Sequence, residues 1–147
     1  MGNREIIELR NIKTRGSAAD WRESIAASGS LLSESGYITS DYISLTIKSV
    51  EELGPYVVLM PGLALAHARP DESVIKTGIS LITLREPVCF DCENDPVSVV
   101  LTLACKDAES HLEMLGILAG ILANPDSMAS IIEAESEEVI YKLINQY

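Results

Sequence analysis

Basic residues and aromatic rings are both scarce in this chain of 147 residues. Lys and Arg number 11 against 22 Asp and Glu, so the formal net charge is −11. A charge of this sign argues against nonspecific binding to nucleic acid or to anionic membranes, because both need a basic surface. Aromatic residues make up only 5% of the chain, which is too few for a platform on which bases stack.

Apolar runs long enough to cross a membrane are also missing. The longest notable run, residues 114–123, has ten residues, whereas a membrane-spanning helix needs about 20. No apolar stretch typical of a signal peptide follows residues 1–4. We therefore expect a cytoplasmic protein.

Cysteine is scarce as well, with only Cys89, Cys92 and Cys105 in the chain. An odd number with one short spacing is not a disulfide framework, so we expect reduced thiols. With one histidine, the three cysteines would suffice in number for a zinc site, but no second CxxC pair supports it. A redox pair needs a helix that opens at its CxxC, whereas residues 94–96 indicate a turn. We predict no metal ion and no other cofactor.

Periodic spacing of apolar residues predicts two helices, then a block of strands, then further helices. The helices cover residues 20–33 and 40–53, a long segment from residue 107, 126–133 and 136–145, and the strands cover 11–14, 56–60, 63–67, 77–84 and 97–104. No repeat and no linker rich in Gly, Ser and Pro divides the chain, so we predict a single domain over residues 1–147. The order of elements favours an α/β fold in which one mixed sheet has helices on both faces.

Several finer expectations concern packing. Strand 97–104 is almost entirely apolar or hydroxyl-bearing, as expected of a strand that is covered on both faces. Residues 87–95 are expected to leave the sheet as an excursion. Gly116 and Gly120 are expected to pack their helix closely on the sheet. Helical spacing also predicts two buried rows, made of Ile43, Ile47, Val50 and Leu53 or Gly54 in one helix and of Leu112, Leu115, Leu118, Ala119 and Leu122 in the other.

Only two histidines are present, and His67 has the more informative surroundings. If residues 63–67 are extended, Leu63, Leu65 and His67 share one face of a strand. The imidazole then emerges at the carboxyl end of the strand, the usual ligand edge of an open α/β sheet. A neutral imidazole is a nucleophile at pH 7, and a guanidinium such as that of Arg69 can hold an anionic phosphoryl group. The alternatives are a packed or surface histidine and a solvated arginine.

The second histidine, His111, lies at the start of the predicted helix from residue 107. Asp107 or Ser110 is expected to cap that helix, and Ser110 with Glu113 matches a capping box. With either cap His111 falls in the first turn, where the helix dipole favours a neutral ring and attracts anions. There it would help to bind a phosphoryl group carried by another residue, the alternative being a polar residue that faces water.

One long segment resembles a known family. Residues 54–70 carry the sequence GPYVVLMPGLALAHARP, which is similar to the active-site region of enzyme IIA in the sugar phosphotransferase system. The similarity is to the mannitol/fructose superfamily and, within it, to the ascorbate-type branch. It continues through residues 76–78, 93–97 and 107–112, and with residues 20–21 it covers nearly the whole chain.

The resemblance implies a fold and a function. The fold is a three-layer α/β/α domain with one mixed parallel and antiparallel sheet of four to five strands. His67 matches the phosphorylated histidine, which accepts a phosphoryl group from the phosphocarrier HPr and passes it to a cysteine of a cognate enzyme IIB. The IIB phosphorylates the sugar that the membrane enzyme IIC imports. His111 matches the supporting histidine, Arg69 is our candidate to stabilise the anion, and the transfer requires no cofactor.

The sequence departs from the family pattern at two points. Ala66 stands where family members commonly have proline before the active histidine. The mannitol branch has an arginine upstream of that histidine, where the nearest basic residue here is Lys48, and we do not assign that role to Lys48.

Other functions and details stay open at this point. A IIA-like regulatory module, whose phosphorylation state controls a partner protein, is the main alternative, and a zinc-structured binding domain is the third. The carbohydrate, expected to be ascorbate or a related compound, is not determined by the sequence, because a IIA does not contact it. The modified imidazole nitrogen and the oligomeric state are also open.

Overall fold

Five strands form one mixed sheet in the computed structural model, which describes residues 5–146. The strands are β1 (Ile12–Gly16), β2 (Val58–Met60), β3 (Leu63–Ala66), β4 (Gly78–Val88) and β5 (Val97–Ala104). They lie in the order β1-β4-β5-β3-β2; β1/β4 and β3/β5 are parallel pairs, and β4/β5 and β2/β3 are antiparallel. Residues 1–4, on which the search for a signal peptide depends, and Tyr147 lie outside the described residues.

Helices cover both faces of this sheet. The described residues form α1 (Trp21–Glu34), α2 (Ser40–Leu53), α3 (Ala108–Leu122), α4 (Pro125–Glu133) and α5 (Glu137–Asn145), and a short 3₁₀ helix at Leu9–Asn11. One buried apolar cluster joins Leu65 and Leu101 of the sheet to α3, α4 and α5. A second joins Ala64 and Val100 to α1 and α2. The predicted α/β/α architecture with one mixed sheet is confirmed.

The central strand β5 was predicted with its observed bounds. Apart from the half-buried Ser98, all of its residues are buried, so the prediction of cover on both faces is confirmed. The two ends of β5 lie beside different neighbours. Strand β3 ends beside Thr102, near one end of β5, whereas β4 ends beside Val97 at the other. The loops that follow β3 and β4 therefore lie at opposite edges of the sheet, where an edge means the side formed by one set of strand ends.

Strand β4 is longer than predicted. It runs to Val88 instead of ending at residue 84, so the excursion after it begins at residue 89. The pairing with β5 shifts register between Thr83, opposite Val99, and Val88, opposite Val97. Pro87 lies inside this irregularity, where its missing N–H breaks no ladder hydrogen bond. The prediction ended the strand at residue 84 because two charged residues and a proline follow. Nothing in that sequence indicates that β4 pairs with β5 again at Val88.

The buried row of α2 differs from the predicted one. Tyr42, Thr46 and Val50 face the core, whereas Ile43 is half-buried and Leu53 is 73% exposed. Val50 was predicted correctly, but apolar spacing missed Tyr42 and Thr46 because both carry hydroxyl groups, and each of those hydroxyls has a hydrogen-bond partner.

The close approach of α1 and α2 explains a glycine inside α1. A Cβ atom added to Gly29 would lie 2.7 Å from Cγ1 of Ile43, which is closer than real Cβ atoms come to other heavy atoms. The half-buried Ile43 therefore fills the space that glycine leaves open, and this contact offsets the low helix propensity of glycine.

The predicted packing of α3 is correct only in part. Leu118 and Leu122 of the predicted row are buried, whereas Leu112 is 70% exposed, and the buried Met114 and Ile121 were not predicted. Gly116 and Gly120 do not pack on the sheet, because no atom outside their own helix backbone lies within 4 Å of a Cβ added at either position. From residue 114 onward this helix consists only of apolar residues and glycine, so their spacing gives little information about which side faces the core.

No single helix within residues 5–146 is long and apolar enough to cross a membrane. In this described range, α3 and α4 taken together meet that requirement of length and composition, but a bend of 86° separates them.

Candidate active site

His67 is the residue that directly follows β3, so it lies at the carboxyl end of that strand as predicted. Its Nδ1 lies 2.8 Å from the backbone oxygen of Leu65. A carbonyl oxygen can only accept, so Nδ1 carries the proton of the hydrogen bond. In the neutral ring Nε2 then has the free lone pair and is the nitrogen that can act as a nucleophile.

His111 comes close to His67 from a different element. It is the fourth residue of α3, in the first turn, as predicted. Of the two possible caps, Asp107 is the one observed, and its carboxylate accepts a hydrogen bond of 2.7 Å from the backbone N–H of Ser110. The two imidazole ring centroids are 5.7 Å apart. Burial, and to a lesser degree the nearby His67, lower the pKa of His111 and favour its neutral form.

A cavity of about 610 Å³ brings together the three predicted site residues. His67, Arg69 and His111 all line it, and Arg69 is exposed to solvent. Its remaining walls come from α2, the residues before β2, the segment after β3 and the start of α3, namely Leu45, Ser49, Leu53, Tyr56, Ala68, Pro70, Asp71 and Ala108. A nucleophile, a guanidinium and the amino end of a helix around one open cavity suit a transferable anionic group.

Tyr56 is a site residue that the sequence analysis missed. Its hydroxyl donates a hydrogen bond of 2.8 Å to the backbone oxygen of His67. Its ring meets the imidazole edge to face, with centroids 5.4 Å apart and planes at 85°. The signal that could have found it is the hairpin, because the antiparallel pairing of Val58 with Ala64 carries Tyr56 to the end of β3.

Tyr42 was missed as well. It is 1% exposed, and its hydroxyl accepts a hydrogen bond of 3.0 Å from the Ala68 N–H while donating one of 2.8 Å to the backbone oxygen of Leu103. Burial raises the pKa of Tyr42 to about 12, so the hydroxyl keeps its proton. No local sequence signal pointed to it, because the rotation of α2 about its axis decides which residues face β3.

Lys48 does not belong to this group. It is not among the residues that line the cavity, and its Nζ lies 3.9 Å from Oε1 of Glu52 on the surface of α2. Leaving Lys48 without a role in the site is consistent with this position.

The three cysteines are separated by the sheet. Cys89 and Cys92 follow β4, whereas Cys105 follows β5 at the opposite edge. All three are free thiols, and burial raises the pKa of the Cys105 thiol to about 11. Within residues 5–146 no group of three His, Cys, Asp or Glu side chains could hold a metal ion, so the zinc alternative has no support.

Comparison with known proteins agrees with this geometry. Residues 5–147 match the family model described as phosphoenolpyruvate-dependent sugar phosphotransferase system, EIIA 2. The chain belongs to this family. The resemblance seen around His67 is therefore confirmed, and the chain is a IIA component with a phosphoryl-transfer role in a sugar phosphotransferase system.

Relatives in this family support the same assignment. The ascorbate-specific PTS system EIIA component of Escherichia coli K12 is 33% identical over 144 residues, which cover 96% of this chain and 93% of the relative. The mannitol-specific cryptic phosphotransferase enzyme IIA component of the same organism is 34% identical over 130 residues, 88% of each chain. The crystal structure of PtxA, described as a PTS IIA of Streptococcus mutans, has a TM-score of 0.87 at 31% identity and covers 95% of this chain and 89% of its own.

Proposed function

We propose that Nε2 of His67 accepts a phosphoryl group from HPr and passes it to a cysteine of a cognate enzyme IIB. The observation that carries this proposal is the hydrogen bond from Nδ1 to the Leu65 carbonyl, which leaves the Nε2 lone pair free in a ring that lines the open cavity. In its second role His67 is a leaving group, and a neutral imidazole suits that role.

Each transfer consists of one bond formed and one bond broken. The Nε2 lone pair attacks the phosphorus atom in line, and the bond from phosphorus to the donor atom breaks. The thiolate of IIB then attacks the same phosphorus atom, and the N–P bond breaks with return of the lone pair to Nε2. In-line attack of this kind depends on the positioning of both partners and on stabilisation of the phosphoryl oxygens.

The surrounding groups stabilise the charge of the phosphoryl oxygens. The Arg69 guanidinium donates to them, and the neutral ring of His111 offers one N–H. The amino end of α3 adds its partial positive charge. None of these contributions needs a metal ion or a nucleotide.

The names of the two relatives differ in the carbohydrate they specify. One is described as ascorbate-specific and the other as mannitol-specific, and their identities to this chain are 33% and 34%. We assign the chain to uptake of ascorbate or a related carbohydrate. The transfer takes place in the cytoplasm, with IIB as the direct partner and the membrane enzyme IIC as the indirect one.

The test is phosphorylation by phosphoenolpyruvate, enzyme I and HPr, read by intact mass and by acid lability. We expect one acid-labile phosphoryl group on the wild type and none on His67→Ala. A His67→Ala protein that is still fully labelled would contradict the proposal. Addition of IIB and IIC with carbohydrate then separates the alternatives, because a regulatory module would keep its label without passing it on.

A further inference from the structure

A single peptide unit, the one that joins His67 to Ala68, is hydrogen-bonded on both of its sides by tyrosine hydroxyls. On one side the Tyr56 hydroxyl donates to the carbonyl oxygen of His67 at 2.8 Å. On the other side the N–H of Ala68 donates to the Tyr42 hydroxyl at 3.0 Å. We call this arrangement the tyrosine clamp. Because a trans peptide is planar, fixing both of its polar groups fixes the orientation of the whole plane.

The Tyr42 side of the clamp is anchored in the core. Tyr42 is buried in α2, and its hydroxyl donates its one hydrogen to the carbonyl oxygen of Leu103 in β5 at 2.8 Å. The Ala68 N–H is therefore tied through one oxygen atom to the central strand. Neighbouring strands and a buried aromatic ring leave this side little freedom to move.

The Tyr56 side of the clamp also touches the imidazole. Tyr56 is 38% exposed and lines the cavity together with Ser49 of α2. Its ring stands at 85° to the His67 ring. One side chain thus contacts both the backbone and the ring of His67, from an element other than β3.

The segment needs such restraint because no proline ring limits it between Pro61 and Pro70. The preceding strand holds the backbone of His67 on one side, and the clamp holds it on the other. With both sides fixed, the ring keeps the position from which Nδ1 donates to the Leu65 carbonyl and Nε2 keeps its lone pair. A misplacement of the reacting atom by about 1 Å lowers a rate by roughly 100-fold.

We propose that Tyr56 and Tyr42 are positioning residues that hold the attacking nitrogen of His67 in place for phosphoryl transfer. This inference rests on the proposed role of His67. Tyr56 is the residue to test first, because its replacement removes only the partly exposed side of the clamp. Loss of the Tyr42 hydroxyl would remove two hydrogen bonds to the backbone, one of them buried, and would destabilise the fold.

The experiment compares Tyr56→Phe with wild type in two measurements. In single-turnover phosphorylation over a range of phosphorylated HPr concentrations, we expect the maximal rate to fall about fivefold to tenfold at an unchanged half-saturating concentration. This fall corresponds to about 1 kcal/mol, the size of one neutral hydrogen bond. In ¹⁵N NMR of the unphosphorylated protein, we expect the Nδ1–H tautomer of His67 in the wild type and a mixture of tautomers in the variant.

Tyr141→Phe is the matched control, because it removes an exposed hydroxyl that donates to Glu5 and has no contact with the site. Its rate and its His67 spectrum should equal those of the wild type, and thermal unfolding checks that both variants are folded. A change confined to the half-saturating concentration would overturn the clamp and make Tyr56 a partner contact. An unchanged tautomer and rate would overturn it too. If HPr labels neither protein, the proposed function fails and the NMR comparison alone decides on the clamp.

Discussion

The two edges of the sheet use their polar groups in opposite ways. At the edge beyond β4, the Asp95 carboxylate accepts backbone hydrogen bonds from Phe90 at 2.8 Å and from Cys92 at 3.0 Å, so the loop satisfies itself. At the edge beyond β3, hydrogen bonds hold the backbone and one nitrogen of His67, and the other nitrogen is left to react. A group of titratable residues therefore indicates a reactive site only if the fold leaves some of their hydrogen-bonding atoms without an internal partner.

Replacement of His111 tests the reactive edge most directly after His67 itself. His111→Ala removes the second ring from the cavity, and we expect phosphorylation of His67 about 10- to 100-fold slower with some labelling retained. The measurement is the single-turnover rate with phosphorylated HPr. His111→Gln restores an N–H donor and should recover part of the loss. Equal rates for His111→Ala and wild type would remove His111 from the site.

Arg69 tests whether a side chain on this exposed segment acts on the transferred group. In Arg69→Gln the guanidinium is lost, and we expect about a tenfold lower transfer rate, because charge-assisted hydrogen bonds to phosphoryl oxygens are stronger than neutral ones. Arg85→Gln is the matched control, since Arg85 is exposed near the end of β4 at the other edge. Equal effects of the two substitutions would point to a general effect of charge on docking.

A substitution at the edge beyond β4 should change the stability of the protein and not the rate of phosphoryl transfer. In Asp95→Asn we expect the free energy of unfolding to fall by about 1–3 kcal/mol, because the hydrogen bonds to the ionised carboxylate are weakened. The phosphorylation rate per folded molecule should not change. Asp91→Asn, an exposed change of charge in the same loop, is the control and should alter stability by less than about 0.5 kcal/mol. A slower phosphoryl transfer in folded Asp95→Asn would contradict the claim that the edge beyond β4 takes no part in the reaction.

The Asp95 carboxylate also determines how one contribution to stability changes with pH. Burial raises the pKa of Asp95, but the hydrogen bonds from Phe90 and Cys92 outweigh burial and hold this pKa below its usual value of 3.8. Its contribution is therefore complete above the unfolded-state pKa and is lost as the pH falls through the lower folded-state pKa. Urea unfolding at pH 7 and at acidic pH should show that the difference between wild type and Asp95→Asn shrinks at acidic pH.

What could be predicted from the sequence was local. His67 was placed correctly because turn residues fix both ends of its strand, and His111 because Asp107 marks the start of a helix. The three-layer fold followed from the order of the elements and from the family resemblance.

What could not be predicted depends on how elements meet. Tyr56 reaches His67 through the register of a hairpin, and Tyr42 through the rotation of α2 about its own axis. The outer face of α3 was misjudged because the second half of that helix has apolar residues on every side. In each case the deciding quantity is a relation between two segments, which apolar spacing within one segment does not contain.

Gly29 has a consequence for a place it does not touch. Within residues 5–146, α1 contributes no residue to the cavity wall, yet the missing side chain at Gly29 lets α1 and α2 approach each other through Ile43. A larger residue there would act as a wedge and shift α2, which carries Ser49 and Leu45 of that wall. The absence of a Cβ atom at Gly29 therefore helps to set the width of the cavity, although Gly29 itself lies outside the cavity wall.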